Sequence, residues 1–242
     1  MSLQLKDVSR SISGRKVVNN ISLEVTPGEV VGLLGPNGAG KTTSFNLIIG
    51  FLRPDFGQVF LEGKKVTQLS MPSRAKLGVG YLPQEASIFR QLTVHENLDI
   101  ALSQAGMSTS LSRIRREKII EEFNLSGFLH RRGYQLSGGE RRRCEVARAV
   151  ALGPKGPKYL LLDEPFAGVD PMAVVDLQIL IENIKSRGMG ILITDHNVRE
   201  TLAITDRSYI LSEGKILASG SSSEVSNNSL VRRHYLGEKF KL

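Results

Sequence analysis

Gly35-Pro36-Asn37-Gly38-Ala39-Gly40-Lys41-Thr42-Thr43 fits the spacing G-x-x-x-x-G-K-[ST] without a gap. Each residue type has a physical job in it. The glycines open backbone conformations closed to a residue with a Cβ, so successive N–H groups can turn inward on a phosphate. Lys41 brings a point charge to the β- and γ-phosphates, and the Thr42 hydroxyl is a hard oxygen ligand for Mg²⁺. The flanks agree with this reading. Residues 29–34 read as a buried strand, and residues 42–49 as a helix whose N-terminus turns the positive end of its dipole toward the anion. A glycine-rich turn matching by chance would not carry strand, helix and Lys-Thr in register. A nucleoside triphosphate is the expected ligand.

The 242 residues suffice for one large α/β domain or two small lobes, and 40% hydrophobic residues can supply a core. No run of about 18 apolar residues occurs, so no membrane-spanning helix is expected. Residues 1–6 begin directly in strand-like alternation, without the apolar region of a signal peptide. The single cysteine, Cys144, excludes an internal disulfide and fits a reducing cytoplasm. The net charge of +8, from 32 basic and 24 acidic residues, suits a nucleotide, anionic lipid headgroups or nucleic acid. No basic tail or aromatic-interleaved basic run occurs, so a phosphate ligand and a membrane surface are favoured over nucleic acid.

Strands are expected at residues 2–8 and 20–26, with residues 9–20 between them turning at Gly14. Further strands are expected at 57–63 and 78–84, and a short helix at 72–77. From 86 to 135 the spacing becomes helical. Thr93 and Glu96 form a capping box ahead of one helix. In the next, Ile114, Ile119, Ile120 and Phe123 are expected inward, and Arg113, Arg115, Arg116, Glu121 and Glu122 outward. A third helix is expected over 140–152. Leu160-Leu161-Leu162 and Ile191-Leu192-Ile193 are continuous apolar runs, as in strands buried on both faces of a parallel sheet. Asp170-Pro171 supplies an N-cap and a first-turn proline for the helix between them. Residues 207–218 read as a hairpin turning at Glu213-Gly214, followed by a polar stretch over 219–228 and a last helix.

Asp163 and Glu164 end the leucine-rich strand. Asp163, at the strand tip, can hold Mg²⁺ through a water. Glu164 can face the γ-phosphate and polarise the attacking water. Ser137-Gly138-Gly139, at the start of a helix, makes a second anion site. A second site is redundant within a monomer, but it makes sense if it meets the nucleotide of a second copy.

Gly35 to Thr43, Gln84, Leu136-Ser137-Gly138-Gly139-Glu140, Leu162-Asp163-Glu164-Pro165, Ala167-Gly168-Val169-Asp170 and His196 together resemble the ATP-binding cassette family, in order and spacing, across almost the whole chain. The resemblance implies an α/β P-loop NTPase cassette with a mixed, largely parallel sheet core, an antiparallel β subdomain and an inserted helical subdomain. The chain would be one such domain, with residues 1–85 and 136–242 as the core and 86–135 as the helical part. It also implies a head-to-tail homodimer with two ATP molecules at the interface. Ser137, Gly138 and Gly139 would then contact the γ-phosphate held by the other copy's Lys41, and Asp170 would signal across the dimer. Gln84 would sense Mg²⁺ and the γ-phosphate, and His196 would hold the attack geometry. One position departs from the family. An aromatic residue usually stacks on adenine a little before Gly14, and Ile12 stands there. Stacking is worth about 1–3 kcal/mol, so somewhat weaker ATP affinity or base discrimination is expected.

Residues 81–90, 139–143, 164–171 and 194–201, and the tail over 235–242, are similar to the ATPase subunits of bacterial lipopolysaccharide exporters. ATPases of branched-chain amino-acid importers share much of the pattern. The resemblance implies a peripheral ATPase on the cytoplasmic face of the inner membrane, working with two membrane permease subunits. Phe89 and Arg90 would lie at a groove that receives a helix of such a partner, with Phe89 either an exposed anchor or a core residue. A soluble cassette acting on DNA or ribosomes is the cross-class alternative. It is disfavoured because repair members carry long coiled coils or large insertions, and ribosome-acting members usually two cassettes. Arg141-Arg142-Arg143 reads as a turn of solvated arginines, and Cys144 as a packed small residue. His95, His130 and His234 lack metal-ligand spacing.

Overall fold

The computed structural model describes residues 1–238 and 240; Lys239, Lys241 and Leu242, at the end of the quoted tail, lie outside the described residues. Strands β1 (Leu3–Ile12), β2 (Arg15–Val25), β4 (Phe56–Leu61) and β5 (Lys64–Lys65) form an antiparallel sheet in the order β2-β1-β4-β5. Strands β3 (Val30–Leu34), β6 (Val79–Leu82), β7 (Tyr159–Asp163), β8 (Gly190–Thr194), β9 (Arg207–Ser212) and β10 (Lys215–Gly220) form a second sheet in the order β10-β9-β3-β8-β7-β6. All its pairings are parallel except β9 with β10. β3, β7 and β8 are buried at every residue, as their unbroken apolar runs require.

The expected segment at 9–20 is instead the end of a hairpin: β1 and β2 run on and pair through Ile12 and Arg15. Ser13 and Gly14 both have positive φ, as a two-residue hairpin turn of this hand requires. Three register shifts along the pair break the period of two, which hid the strands from an alternation pattern.

Helix α1 (Lys41–Ile49) leaves the tip of β3 and packs Phe45, Leu47 and Ile48 into a core shared with β1, β2, β4 and the six-stranded sheet. α2 (Met71–Lys76) precedes β6. α3 (Val94–Ser103) and α4 (Thr109–Glu122) share a second core with α5 (Gly138–Val150) and α6 (Pro171–Ser186), on the other face of that sheet. The capping box at Thr93 and Glu96 is present. On α4 the expected faces are partly exchanged. Ile114 is exposed, whereas Arg115 is half-buried and donates to the Val150 carbonyl at the end of α5. The guanidinium turns inward because the last carbonyls of α5 lie within its reach. The polar stretch at 219–228 contains a helix, α8 (Ser222–Asn227), after α7 (Val198–Ile204). A short α9 (Ser229–Val231) and a π turn over 232–236 follow. No helix among the described residues is long and apolar enough to cross a membrane.

Candidate active site

The phosphate loop joins β3 to α1 at the carboxyl edge of the parallel strands, where open α/β sheets bind ligands. Gly35 has φ 150°, and a Cβ there would stand 2.0 Å from the Leu211 carbonyl oxygen. At Gly40, φ 107°, a Cβ would come within 2.6 Å of the Val17 carbonyl oxygen. The loop thus passes between β9 and β2 through a gap that only glycine fits. Lys41 is buried, and its Nζ donates to the carbonyls of Gly35 at 2.7 Å and Pro36 at 3.0 Å. Burial lowers its pKa, against the opposing pull of Glu164 and Asp163. That pull shows the ammonium and the two carboxylates sharing one field at the strand tips.

Asp163 and Glu164 are 1% and 6% exposed. Burial first, and the neighbouring Glu164 second, push the Asp163 carboxyl up to about 6. Its Oδ2 accepts a long hydrogen bond from the Tyr81 hydroxyl at 3.4 Å, while its Oδ1 is buried with no hydrogen-bond partner. A buried carboxylate oxygen left without a partner and a threonine hydroxyl of the phosphate loop are the hard oxygen donors a divalent cation such as Mg²⁺ takes. Asp163 and Thr42 therefore fit Mg²⁺.

Glu164 has φ 50°, a left-handed conformation unusual for a residue with a side chain and costing of order 1–3 kcal/mol. The turn aims its carboxylate at two partners. Gln84 Nε2 donates to Oε2 at 2.9 Å, and His196 Nε2 lies 2.7 Å from Oε1. Three sequence-predicted residues, brought from the ends of β6, β7 and β8, thus meet at one carboxylate. Asp195, buried, ties the same loops by accepting from Phe166 N at 2.8 Å and Asn197 N at 2.9 Å. Burial raises its pKa against those two bonds.

Ser137 caps α5, accepting from Glu140 N at 3.2 Å, and is exposed. Gly139 packs so tightly on α6 that a Cβ would stand 2.5 Å from the Ala173 Cβ. Asp170 caps α6 through Ala173 N at 3.0 Å. Ile12, 42% exposed, lies at the β1–β2 turn. Phe89 is 43% exposed, which takes it out of the core, and the Arg148 guanidinium covers its ring at 4.6 Å. Arg90 is exposed beside it. Nearby, Ile49, Met71, Tyr81, Pro83, Ser87 and Arg148 line a groove of about 360 Å³.

The reading of 141–143 as solvated arginines fails at Arg142, which is 4% exposed. Its Nε donates to the Pro165 carbonyl at 3.0 Å, its Nη1 to the Pro83 carbonyl at 3.2 Å, and its Nη2 to the carbonyls of Asp163 at 3.0 Å and Glu164 at 2.5 Å. Glu145 completes the set at 3.1 Å and with its other oxygen accepts from Ser87 N and Ile88 N. One guanidinium thus grips both carbonyls of the carboxylate turn and the residue before Gln84. The only sequence signal was the helical period that puts Gly139, Arg142 and Val146 on one face. Cys144 is buried and its thiol is pushed up to about 12, as an inert packed cysteine would be.

A family model described as ABC transporter matches residues 18–167, more than half of the chain. The lipopolysaccharide export system ATP-binding protein LptB of Haemophilus influenzae is 51% identical over 241 residues, covering 99% of each protein. The protein of that name from Escherichia coli is 47% identical over 242 residues, covering 100% of this chain and 99% of the relative. The crystal structure of a nucleotide-free ATP-binding cassette from an ABC transporter superposes with a TM-score of 0.87 at 30% identity, over 98% of this chain and 100% of that one. With a family model over more than half of its length and relatives of about half identity over its whole length, the chain belongs to the ABC transporter family.

Proposed function

We propose that this chain is the ATP-hydrolysing subunit of a lipopolysaccharide exporter. The carrying observation for hydrolysis is the Glu164 carboxylate, held between Gln84 and His196 at the end of the strand beside Lys41. The cargo rests on full-length likeness to proteins of that name.

When ATP binds, Lys41 exchanges the carbonyls of Gly35 and Pro36 for β- and γ-phosphate oxygens. The N–H groups of Gly38, Ala39, Gly40, Thr42 and Thr43 cradle the same phosphates, with Pro36 and Asn37 shaping the loop. Thr42 and Asp163, with Gln84 next to them, would hold Mg²⁺, which would supply positive charge against the phosphates. Glu164 takes the proton of a water attacking the γ-phosphorus as the bond to the β-phosphate oxygen breaks, releasing ADP and phosphate. His196, bonded to Glu164, fixes where that carboxylate points. Ile12 covers the adenine with apolar surface. Ser137, exposed at the start of α5, faces the ATP of a second copy in a homodimer together with the main chain of Gly138 and Gly139, and Asp170 borders that contact. Residues 86–135 form the helical part of the single cassette, and the groove beside Phe89 and Arg90 seats a permease subunit. The chain works at the cytoplasmic face of the inner membrane with two such permeases.

Affinity purification from native membranes in mild detergent tests the cargo. Two permeases with bound lipopolysaccharide are the expected companions. Amino-acid permeases would make the chain an importer motor, and DNA or ribosomes without a membrane partner would sink the transport reading.

Phe89→Ala is expected to leave ATP hydrolysis by the free protein unchanged while lipopolysaccharide release by the assembled exporter collapses. An exposed ring stacked on one guanidinium supports the groove and contributes nothing to the nucleotide. Loss of hydrolysis in the free variant would return Phe89 to a structural role.

A further inference from the structure

Arg74 is the largest fully buried side chain among the described residues, and no carboxylate faces it. Its partners are four main-chain carbonyls. Nη1 donates to Leu47 at 2.7 Å and Ile48 at 2.6 Å, Nη2 to Thr67 at 3.0 Å, and Nε to Leu69 at 3.1 Å. Leu47 and Ile48 supply two of the carbonyls in the last turn of α1, and that of Asn46 is taken by the chain turning away at Phe51 and Leu52. The helix that offers its N-terminus to the phosphate therefore has a buried cation locked on its opposite, negative end. α1 has nine residues, so the two ends are only about 14 Å apart.

The arginine belongs to α2, whose Met71 and Ala75 line the groove together with Ile49 of α1. Stability alone does not call for a cation in this position. A buried charge without a counter-ion carries a desolvation cost that an apolar side chain of equal volume avoids. What the planar fork does, and an apolar group cannot, is span three chain segments at once. Burial holds its pKa down to about 10, so it remains charged at neutral pH. Gly50 is shaped to admit it: a Cβ there would stand 2.8 Å from the Arg74 Nε.

We propose that Arg74 is a positioning residue for the nucleotide, a strut that fixes the wall of the groove to the far end of the phosphate-loop helix so that the two move as one body. The inference rests on the ATP-binding reading of the loop. A displacement of about 1 Å at a site of this kind can cost up to 10²-fold, so releasing the rear of α1 registers at the phosphate end.

The test compares wild type, Arg74→Lys and Arg74→Met by KM and kcat for ATP hydrolysis and by the rise in Tm that ATP produces. Lysine keeps a charge on one nitrogen that cannot reach both 47–48 and 67–69, and methionine keeps volume without charge. Both variants are expected to raise KM about tenfold or more with kcat per folded molecule within about threefold, and to shrink the ATP-induced rise in Tm. Lysine is not expected to rescue, because the fork and not the charge makes the span. A merely structural residue would lower Tm and the active fraction and leave KM alone. Wild-type KM in Arg74→Lys, or failure of both variants to fold, overturns the proposal. A wild-type protein whose Tm ignores ATP would instead remove the nucleotide reading beneath it.

Discussion

Glu164→Gln is expected to stop turnover while ATP still binds. An amide cannot take the proton of the attacking water, and the loss of a general base of this kind lowers kcat by roughly 10²–10⁴-fold. Binding is carried elsewhere. Lys41 and the loop amides come from β3 and α1, and they do not depend on the Glu164 side chain for their shape. The amide is also the same size as the carboxylate, so the left-handed turn at φ 50° keeps its form. Only one of its two ends can accept, whereas Gln84 and His196 now hold one oxygen each. The variant therefore gives up one of those two contacts, a local loss in a loop that Arg142 and Asp195 still hold. Rapid-quench single-turnover kinetics with a parallel measurement of ATP affinity checks this. The expected pattern is an unchanged dissociation constant, no burst of phosphate, and a dimer that accumulates with ATP because the bound nucleotide is not consumed. Activity within tenfold of wild type would move the proton acceptor off Glu164.

The residues whose role is set by local geometry were legible in the sequence. The phosphate loop needs glycines at points where a Cβ would strike Leu211 or Val17 main chain, and lysine and threonine follow at fixed distance. β7 and β8 announce themselves by unbroken apolar runs, because both faces are covered. The caps at Thr93 and Asp170 are local bonds between neighbours and equally plain, whereas Ser137, read as part of an anion site, also caps α5. What the sequence hid was set by segments far away in the chain. Arg142 is buried because carbonyls at 83, 163, 164 and 165 converge on it, and Arg74 because α1 ends against it. An arginine on a helix next to two others reads as solvated until those carbonyls are known. Arg115 and Ile114 exchanged faces for the same reason. The hairpin at 9–20 was missed because bulges break the period on which a strand is recognised.

Arg142→Met is expected to be the most destabilising single change near the site. It leaves the carbonyls of Pro83, Asp163, Glu164 and Pro165 without this donor, and the buried Glu145 carboxylate without its cation. Breaking a buried pair by removing one partner costs about 3–5 kcal/mol. At about 2–4 °C per kcal/mol for a chain of this size, Tm should fall by roughly 6–20 °C. The loss has a second face in catalysis. The guanidinium binds the main chain of Glu164, the residue proposed to act on the water, and its partner Glu145 holds the amides of Ser87 and Ile88. Below the melting range kcat should therefore drop further than the folded fraction explains, while ATP affinity stays close to wild type. Adding Glu145→Gln separates the two faces. It removes the unpaired charge, so the double variant should be more stable than the sum of the single changes by about 0.5–3 kcal/mol. It does not restore the grip on Glu164, so kcat should stay low. Recovery of Tm and kcat together would mean that Arg142 serves the fold alone, and recovery of Tm without kcat would mean that the same side chain holds the sheet edge and aims the carboxylate.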